Sequence, residues 1–282
     1  MAKSRTDDNT DITRVEGAGF LDQYVEEDHS LDGMDEYVLL PKLKIIHGSS
    51  DHALKKQFGE GSAIIRPGDA LVVKQEEGQD FLFVPQYFYV EWCKWSERDD
   101  NDTPNIMESS FDPRSPTARK AKDKDLRFEL YEGHEDRPAK EQWNYRYVEH
   151  LRFPGVIYDS EHPLDGTTVV LSFEKGEHYQ GQNFISAIKM RKRRTEEGLL
   201  VQIPLWAQVW QLNTAHRERG AKNWHGFDFQ PAAQSVIDVI DVPAMKAEHE
   251  RFKELHEANR LGVQDEDQDE GDNADTKEQP EF

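Results

Sequence analysis

The chain has one cysteine, Cys93, in 282 residues. A single thiol excludes an internal disulfide framework and a cysteine-rich zinc site, and it fits a reducing compartment. Long apolar runs are missing too. No stretch approaches the roughly 20 residues that cross a bilayer, and the polar start MAKSRTDDNTDI lacks the apolar segment of a secretory signal. These absences predict a cytoplasmic protein with no membrane contact. Signatures of common enzymes are absent as well: there is no Walker sequence, no G-x-S-x-G, no H-E-x-x-H and no G-x-G-x-x-G. No catalytic residue, cofactor or metal is therefore expected, and the chain reads as a binding protein rather than an enzyme. Asp165, Glu174 and Lys175 around DGTTVVLSFEKG have the residue types of a metal-dependent nuclease, but their spacing equally suits a turn after a strand.

Positive charge is scarce, with 35 Lys and Arg against 56 Asp and Glu and a formal charge of -21. The imbalance sits at the ends. Residues 1–36 and 264–282 each contribute -8, which leaves -5 for residues 37–263, where 31 of the 35 basic residues lie. A basic groove in the middle is compatible with this distribution, although the whole chain repels polyanions.

The order of apolar and turn residues predicts four regions. Residues 1–36 are polar and acidic and read as a disordered arm. Residues 37–242 read as a mainly β domain with peripheral helices, an OB-like antiparallel barrel, because short β-branched and aromatic runs alternate with Gly, Pro, Asp and Asn. Within it, SSDHALKKQFGEG predicts a short helix capped by Ser50 or Asp51 and stopped by Gly59. Pro67-Gly68-Asp69 predicts a turn, and Pro85 an edge or bulge in FLFVPQYFYVEWCKW. Residues 96–127 read as a long inserted loop. Residues 243–261 read as a C-terminal helix with Met245, Phe252, Leu255 and Leu261 as its buried stripe, and residues 262–282 as a disordered acidic tail.

Cations and aromatics interleave in NFISAIKMRKRRTEEGLLVQIPLWAQVWQLN. Read as a strand, 184–193 places Lys189, Arg191 and Arg193 on one face, and the next strand places Trp206, Gln208 and Trp210 on another. Cations for phosphates beside flat rings for bases are what a single-stranded nucleic-acid groove requires. Burial of both tryptophans in the core is the competing reading. Tyr87 and Tyr89 form a second candidate stacking surface. Arg119, Lys120 and Lys122 lie in the basic loop, and Arg217, Arg219, Lys222 and Trp224 flank a predicted hairpin turn in TAHRERGAKNWHGFDF.

The tail DEDQDEGDNADTKEQPEF joins a carboxylate run to a terminal aromatic residue. With the barrel-like strands, it resembles the single-stranded DNA-binding proteins of bacteria and their phages. That resemblance implies an OB-type barrel that coats single-stranded DNA without sequence preference in replication or recombination. It also implies a tail through which Asp265, Glu266, Asp267, Asp269, Glu270, Glu281 and Phe282 recruit replication proteins such as a polymerase or helicase-primase. LPKLKIIHGSSD and RPGDALVV are similar to tailed-phage proteins of unknown function, which would place the chain in a host cytoplasm. A homodimer is left open. Two other classes compete: an acidic DNA mimic that regulates a nucleic-acid enzyme, and a structural component of a virion.

Overall fold

In the computed structural model, residues 40–48, 50–74, 79–96, 106–130, 143–159, 161–219, 222–233, 241–258 and 261 are described. The predicted arm 1–36 and tail 262–282, with all seven proposed partner-binding residues, lie outside them. In chain order the elements are β1 (Lys42–Ile45), α1 (His52–Phe58), β2 (Ala63–Arg66), β3 (Ala70–Val73), β4 (Phe81–Pro85), β5 (Tyr89–Ser96), β6 (Ile106–Ser110), α2 (Pro116–Lys122), β7 (Phe128–Leu130), β8 (Trp143–Ile157), β9 (Thr168–Phe173), α3 (His178–Met190), β10 (Lys192–Arg194), β11 (Leu200–Gln202), β12 (Trp210–Arg219), β13 (Lys222–Pro231) and α4 (Val242–Glu257).

A mixed sheet of eleven strands forms the centre, with β13-β12-β4-β8-β9-β1-β2-β3 as its main path. The long strand β8 organises it. One of its edges pairs with β5 through Tyr145–Arg152 and then with β4 through Gly155–Ile157. The other edge pairs with β7 up to Arg146 and with β9 from Leu151 onward. β4 and β5 are separate strands because proline cannot extend a ladder as a donor; the chain breaks after Pro85, and Gln86 and Tyr87 both donate their backbone N–H to the Pro154 carbonyl. The mainly β class is as expected. Among the described residues no pairing joins β3 to β13, so the path is open rather than a closed OB-type barrel.

Side chains alternate across this sheet. One face sends Leu43, Phe81, Phe83, Leu151, Phe153, Leu171 and Phe173 into the main core, where Phe184 and Ile188 of α3 cover them. Gly181 makes the close approach possible, since a Cβ there would lie 2.7 Å from Leu151 Cδ1 and from the Cβ of Phe173. On the opposite face, Leu54 and Phe58 of α1 pack on Ile46 and Ile64, and Phe252 of α4 packs with Leu40, Tyr89, Val170 and Leu261. Each such side chain contributes roughly 1.5–3 kcal/mol when fully buried.

Local signals explain the helix ends. Asp51 caps α1, and Gly59, with φ of 86°, follows its last residue as expected. Asp241 caps α4 by accepting from Ala244 N, with Pro243 in the first turn. Met245 and Phe252 are buried as the stripe predicted; the helix ends at Glu257, so Leu261 packs from beyond it.

Two expectations are corrected. Residues 184–190 are helical, because Gly181, Phe184, Ile185 and Ile188 form a stripe at helical spacing that packs on the sheet. The segment 96–127 is not one long loop. It contains β6, which pairs with β5, and α2, whose Ala118 and Ala121 pack on Trp92 and Tyr147.

Candidate nucleic-acid interface

One basic exposed surface begins on α3. Tyr179, Gln182, Ser186, Lys189 and Met190 are all exposed, and Tyr179 keeps 68% of its surface in solvent. At 100° per residue, Tyr179, Gln182, Ser186 and Met190 share one stripe opposite Phe184, with Lys189 beside it. The chain then enters the β10–β11 hairpin, a two-stranded ribbon separate from the main sheet. Its base is tied by Ile203 N donating to Arg191 O at 3.1 Å, and its turn by Gly198 N to Thr195 O and Thr195 N to Leu199 O. Gly198 has φ of 82°, which favours glycine at this turn.

Lys192, Arg193 and Arg194 are exposed on β10. Their cross-strand neighbours are Gln202, Val201 and Leu200, so no carboxylate lies directly opposite them. Arg194 donates to the Gly198 carbonyl. Among the described residues, Lys189 and these three cations have no ion pair, whereas Glu196 and Glu197 occupy the turn. Leu199, Leu200 and Val201 add exposed apolar surface to the same ribbon.

The sequence-predicted residues do not assemble into one groove. Arg191 is half-buried: its guanidinium lies 5.4 Å from the Trp210 ring centre and donates to Val209 O, and burial lowers its pKa. Trp210 is only 1% exposed and packs edge-on against Phe184, so the ring is core and not a stacking platform. Trp206 lies in a short 3-10 turn, half-buried near His249 of α4. Tyr89 is buried in the α4 contact, and Tyr87 is half-buried between His249 and His256. Trp206, Tyr87 and Tyr89 are engaged because α4 covers the surface that the sequence left open, and Trp210 because α3 does.

Arg119 is exposed on α2, but Lys120 pairs with Glu129 and the Tyr147 hydroxyl, and Lys122 lies over the Trp92 ring. The predicted hairpin is present as β12–β13, with Arg219 opposite Lys222 at its end; their side chains lie outside the described residues. Arg217 faces Trp224 across the ladder, and both engage Glu177.

Sequence reasoning missed a polar line on the α4 side of the sheet. Glu91 accepts from Ser109 Oγ at 2.7 Å and pairs with Arg152 at 2.7 Å; Arg152 Nη2 lies 3.0 Å from His150 Nδ1. Because arginine only donates, Nδ1 accepts and the proton of neutral His150 stands on Nε2, which faces Glu174 Oε2 at 3.1 Å. Glu174 also pairs with Lys42. The ligand atoms of Glu91, Cys93 and His150 lie within 4.8 Å of one another. A divalent ion there would stand against the Arg152 guanidinium, so the group fits an ion-pair network better than a metal centre. Glu174 is committed to it, and Asp165 binds the backbone N–H of Asp159, so the two are not joined as a nuclease pair. Among the described residues, no helix is long and apolar enough to cross a membrane.

No curated protein and no solved structure matches the chain. The family model of the Pam3 phage gp34-like protein matches residues 15–263. That span contains β1 through α4, including the α3 face and its hairpin, so the chain belongs to the Pam3 phage gp34-like family of phage proteins.

Proposed function

We propose that this phage protein binds single-stranded DNA without sequence preference, along the exposed face of α3 and the β10–β11 hairpin. The observation that carries this reading is the set of exposed cations on β10, Lys192 and Arg194 on one face of the ribbon and Arg193 on the other, with Lys189 and the Tyr179 stripe of α3 leading to them. Cations follow the phosphates, and the Tyr179 ring offers a face to a base. The acidic tail ending in Phe282 would occupy the same cations in the absence of DNA and recruit replication proteins when displaced, because tethering keeps it at high local concentration. The OB-type relationship implied by the resemblance belongs to this proposal as its finer part.

The test is an anisotropy titration with labelled oligo-dT at two salt concentrations. Replacing Lys192, Arg193 and Arg194 together with alanine should weaken binding and flatten its logarithmic salt dependence by about 2, given roughly 0.7 per phosphate contact on a single strand. Absence of binding by the wild-type protein at low salt would sink the proposal. A second reading, a regulator that docks on a nucleic-acid enzyme, is favoured by Leu199, Leu200 and Val201 on the same ribbon. It requires that Leu199→Ser with Leu200→Ser abolish capture of such an enzyme while DNA binding is absent throughout.

A further inference from the structure

Strand β8 has an interval on one edge where the sheet is interrupted. β7 pairs with it as far as Arg146, and β9 resumes at Leu151. Of the residues between, Tyr147 donates its N–H to Arg127 O. A cleft of ≈630 Å³ opens at this gap, lined by residues that include Lys122, Arg127, Arg146, Glu149 and His178. Arg146, Tyr147, Val148 and Glu149, four consecutive residues of β8 at this interruption, all line the cleft.

Its charge is unbalanced. Lys122, Arg127 and Arg146 bring three cations from α2, the loop before β7, and β8, and none has a carboxylate ion pair among the described residues. Lys122 donates to Pro113 O and Arg127 to Ala121 O, backbone contacts that fix the groups without neutralising them. The lining carboxylate, Glu149, is held by His178 Nε2 at 3.0 Å and by the Trp92 indole N–H at 3.0 Å, so it is turned to other partners. The Arg146 Nε is buried without a hydrogen-bond partner. Burial first, and then the nearby positive charge of Arg127, lower the Arg146 pKa, and the Glu174 carboxylate offsets this only in part. An unpartnered buried nitrogen on an arginine that lines the cleft, beside a second guanidinium, is an arrangement that an oxyanion can complete, because planar guanidinium groups match phosphate geometry.

We infer that this cleft is a phosphate-binding site distinct from the α3–β10 surface, with Arg146 at its base and Arg127 and Lys122 at its rim. The ligand chemistry is a phosphate monoester, carried by a free nucleotide or by the 5′ end of a DNA strand. The volume is ample for a nucleotide, and the three cations match the roughly two negative charges of a terminal phosphate at neutral pH.

Thermal unfolding of the full chain tests this site independently of DNA coating. Inorganic phosphate at about 10 mM, compared with chloride at equal ionic strength, should raise Tm through preferential binding to the folded state. Arg127→Ala and Arg146→Met should each remove the rise, and the triple alanine variant of Lys192, Arg193 and Arg194 should keep it. Arg127 is exposed, so its variant reports even if Arg146→Met folds poorly. Thymidine 5′-monophosphate compared with thymidine, and oligo-dT with and without a 5′ phosphate, separate the two sources; a phosphate-dependent rise in either pair supports the site. A rise of equal size in Arg127→Ala, or no rise with inorganic phosphate or either phosphorylated probe, overturns it.

Discussion

The Trp224 indole N–H donates to Glu177 Oε1 at 2.6 Å, tying β13 to the residue just before α3. Arg217 Nε lies 3.4 Å from the same oxygen, so one carboxylate gathers a cation and a ring from the two strands of the β12–β13 hairpin. Gly226 leaves the space for it, because a Cβ there would fall inside the Glu177 carboxylate.

Trp224→Phe should therefore destabilise the protein by about 1.5 kcal/mol, the worth of a hydrogen bond to a charged group. Gly226→Ala should cost more, about 2–3 kcal/mol, since a buried carboxylate must move and abandon its partners. Urea unfolding with an unchanged m-value checks both; Gly226→Ala at wild-type stability would contradict the close approach.

Trp210 and Tyr179 should separate fold from binding. Trp210→Ala empties a site inside the main core and should cost about 3–5 kcal/mol, whereas Tyr179→Ala should change stability by less than about 0.5 kcal/mol. If the α3 face holds DNA, Tyr179→Ala should weaken oligo-dT binding by about 1–3 kcal/mol for one lost stack. A stable Trp210→Ala variant with impaired binding would return that ring to the surface role expected from sequence.

The contrast between these two rings shows where the sequence was legible. α1, α4 and the β12–β13 hairpin were readable because caps, glycines and periodicity lie within one short window, as at Asp51 and Gly59. Residues 184–190 were ambiguous locally: Phe184, Ser186, Ile188 and Met190 fit a strand, while Gly181, Phe184, Ile185 and Ile188 fit a helix. The decision rests on Gly181 meeting Leu151 and Phe173, contacts between distant segments. Starting the reading at Phe184 also hid Tyr179, eleven residues before Met190 and on the same helical stripe. Arg146, Arg127 and Lys122 meet only because β7 and β9 leave a gap on β8, which no local pattern encodes.

Stability should fall in two steps on acidification. Burial is the leading cause of the lowered pKa of His47, His225 and His256. Their unfolded forms protonate near 6.5, before the folded forms do, so the unfolded state binds more protons and stability declines as pH falls from about 7 through the lowered folded values. Glu149 follows at lower pH. Its pKa is lowered chiefly by the His178 hydrogen bond, so its contribution is present above the ordinary carboxylate value and lost as pH falls through the folded one. Urea midpoints measured between pH 7.5 and about 2.5 should show both declines, and His256→Gln should shrink the upper one. A midpoint that is flat between pH 7 and 5.5 would contradict neutral, buried histidines.

The pair between Glu91 and Arg152 should be costly to break and cheap to replace. Arg152 is fully buried, and its Nε and Nη2 both reach Glu91 Oε2, at 2.9 and 2.7 Å. Removing one member leaves a buried charge without its counterion, so Arg152→Met or Glu91→Gln alone should destabilise by about 3–5 kcal/mol. The double variant leaves neither charge of the pair behind. It should recover much of that loss, giving a coupling energy of more than about 1 kcal/mol in a double-mutant cycle. Ser109 and His150 limit the recovery, because each keeps a polar group that had faced the pair. Additive single losses would mean that each charge is held by other groups and that the two residues are neighbours without being partners. Because the line runs from Ser109 on β6 to Lys42 on β1, the same cycle measures how far polar contacts, rather than the apolar core, hold the outer strands to β8.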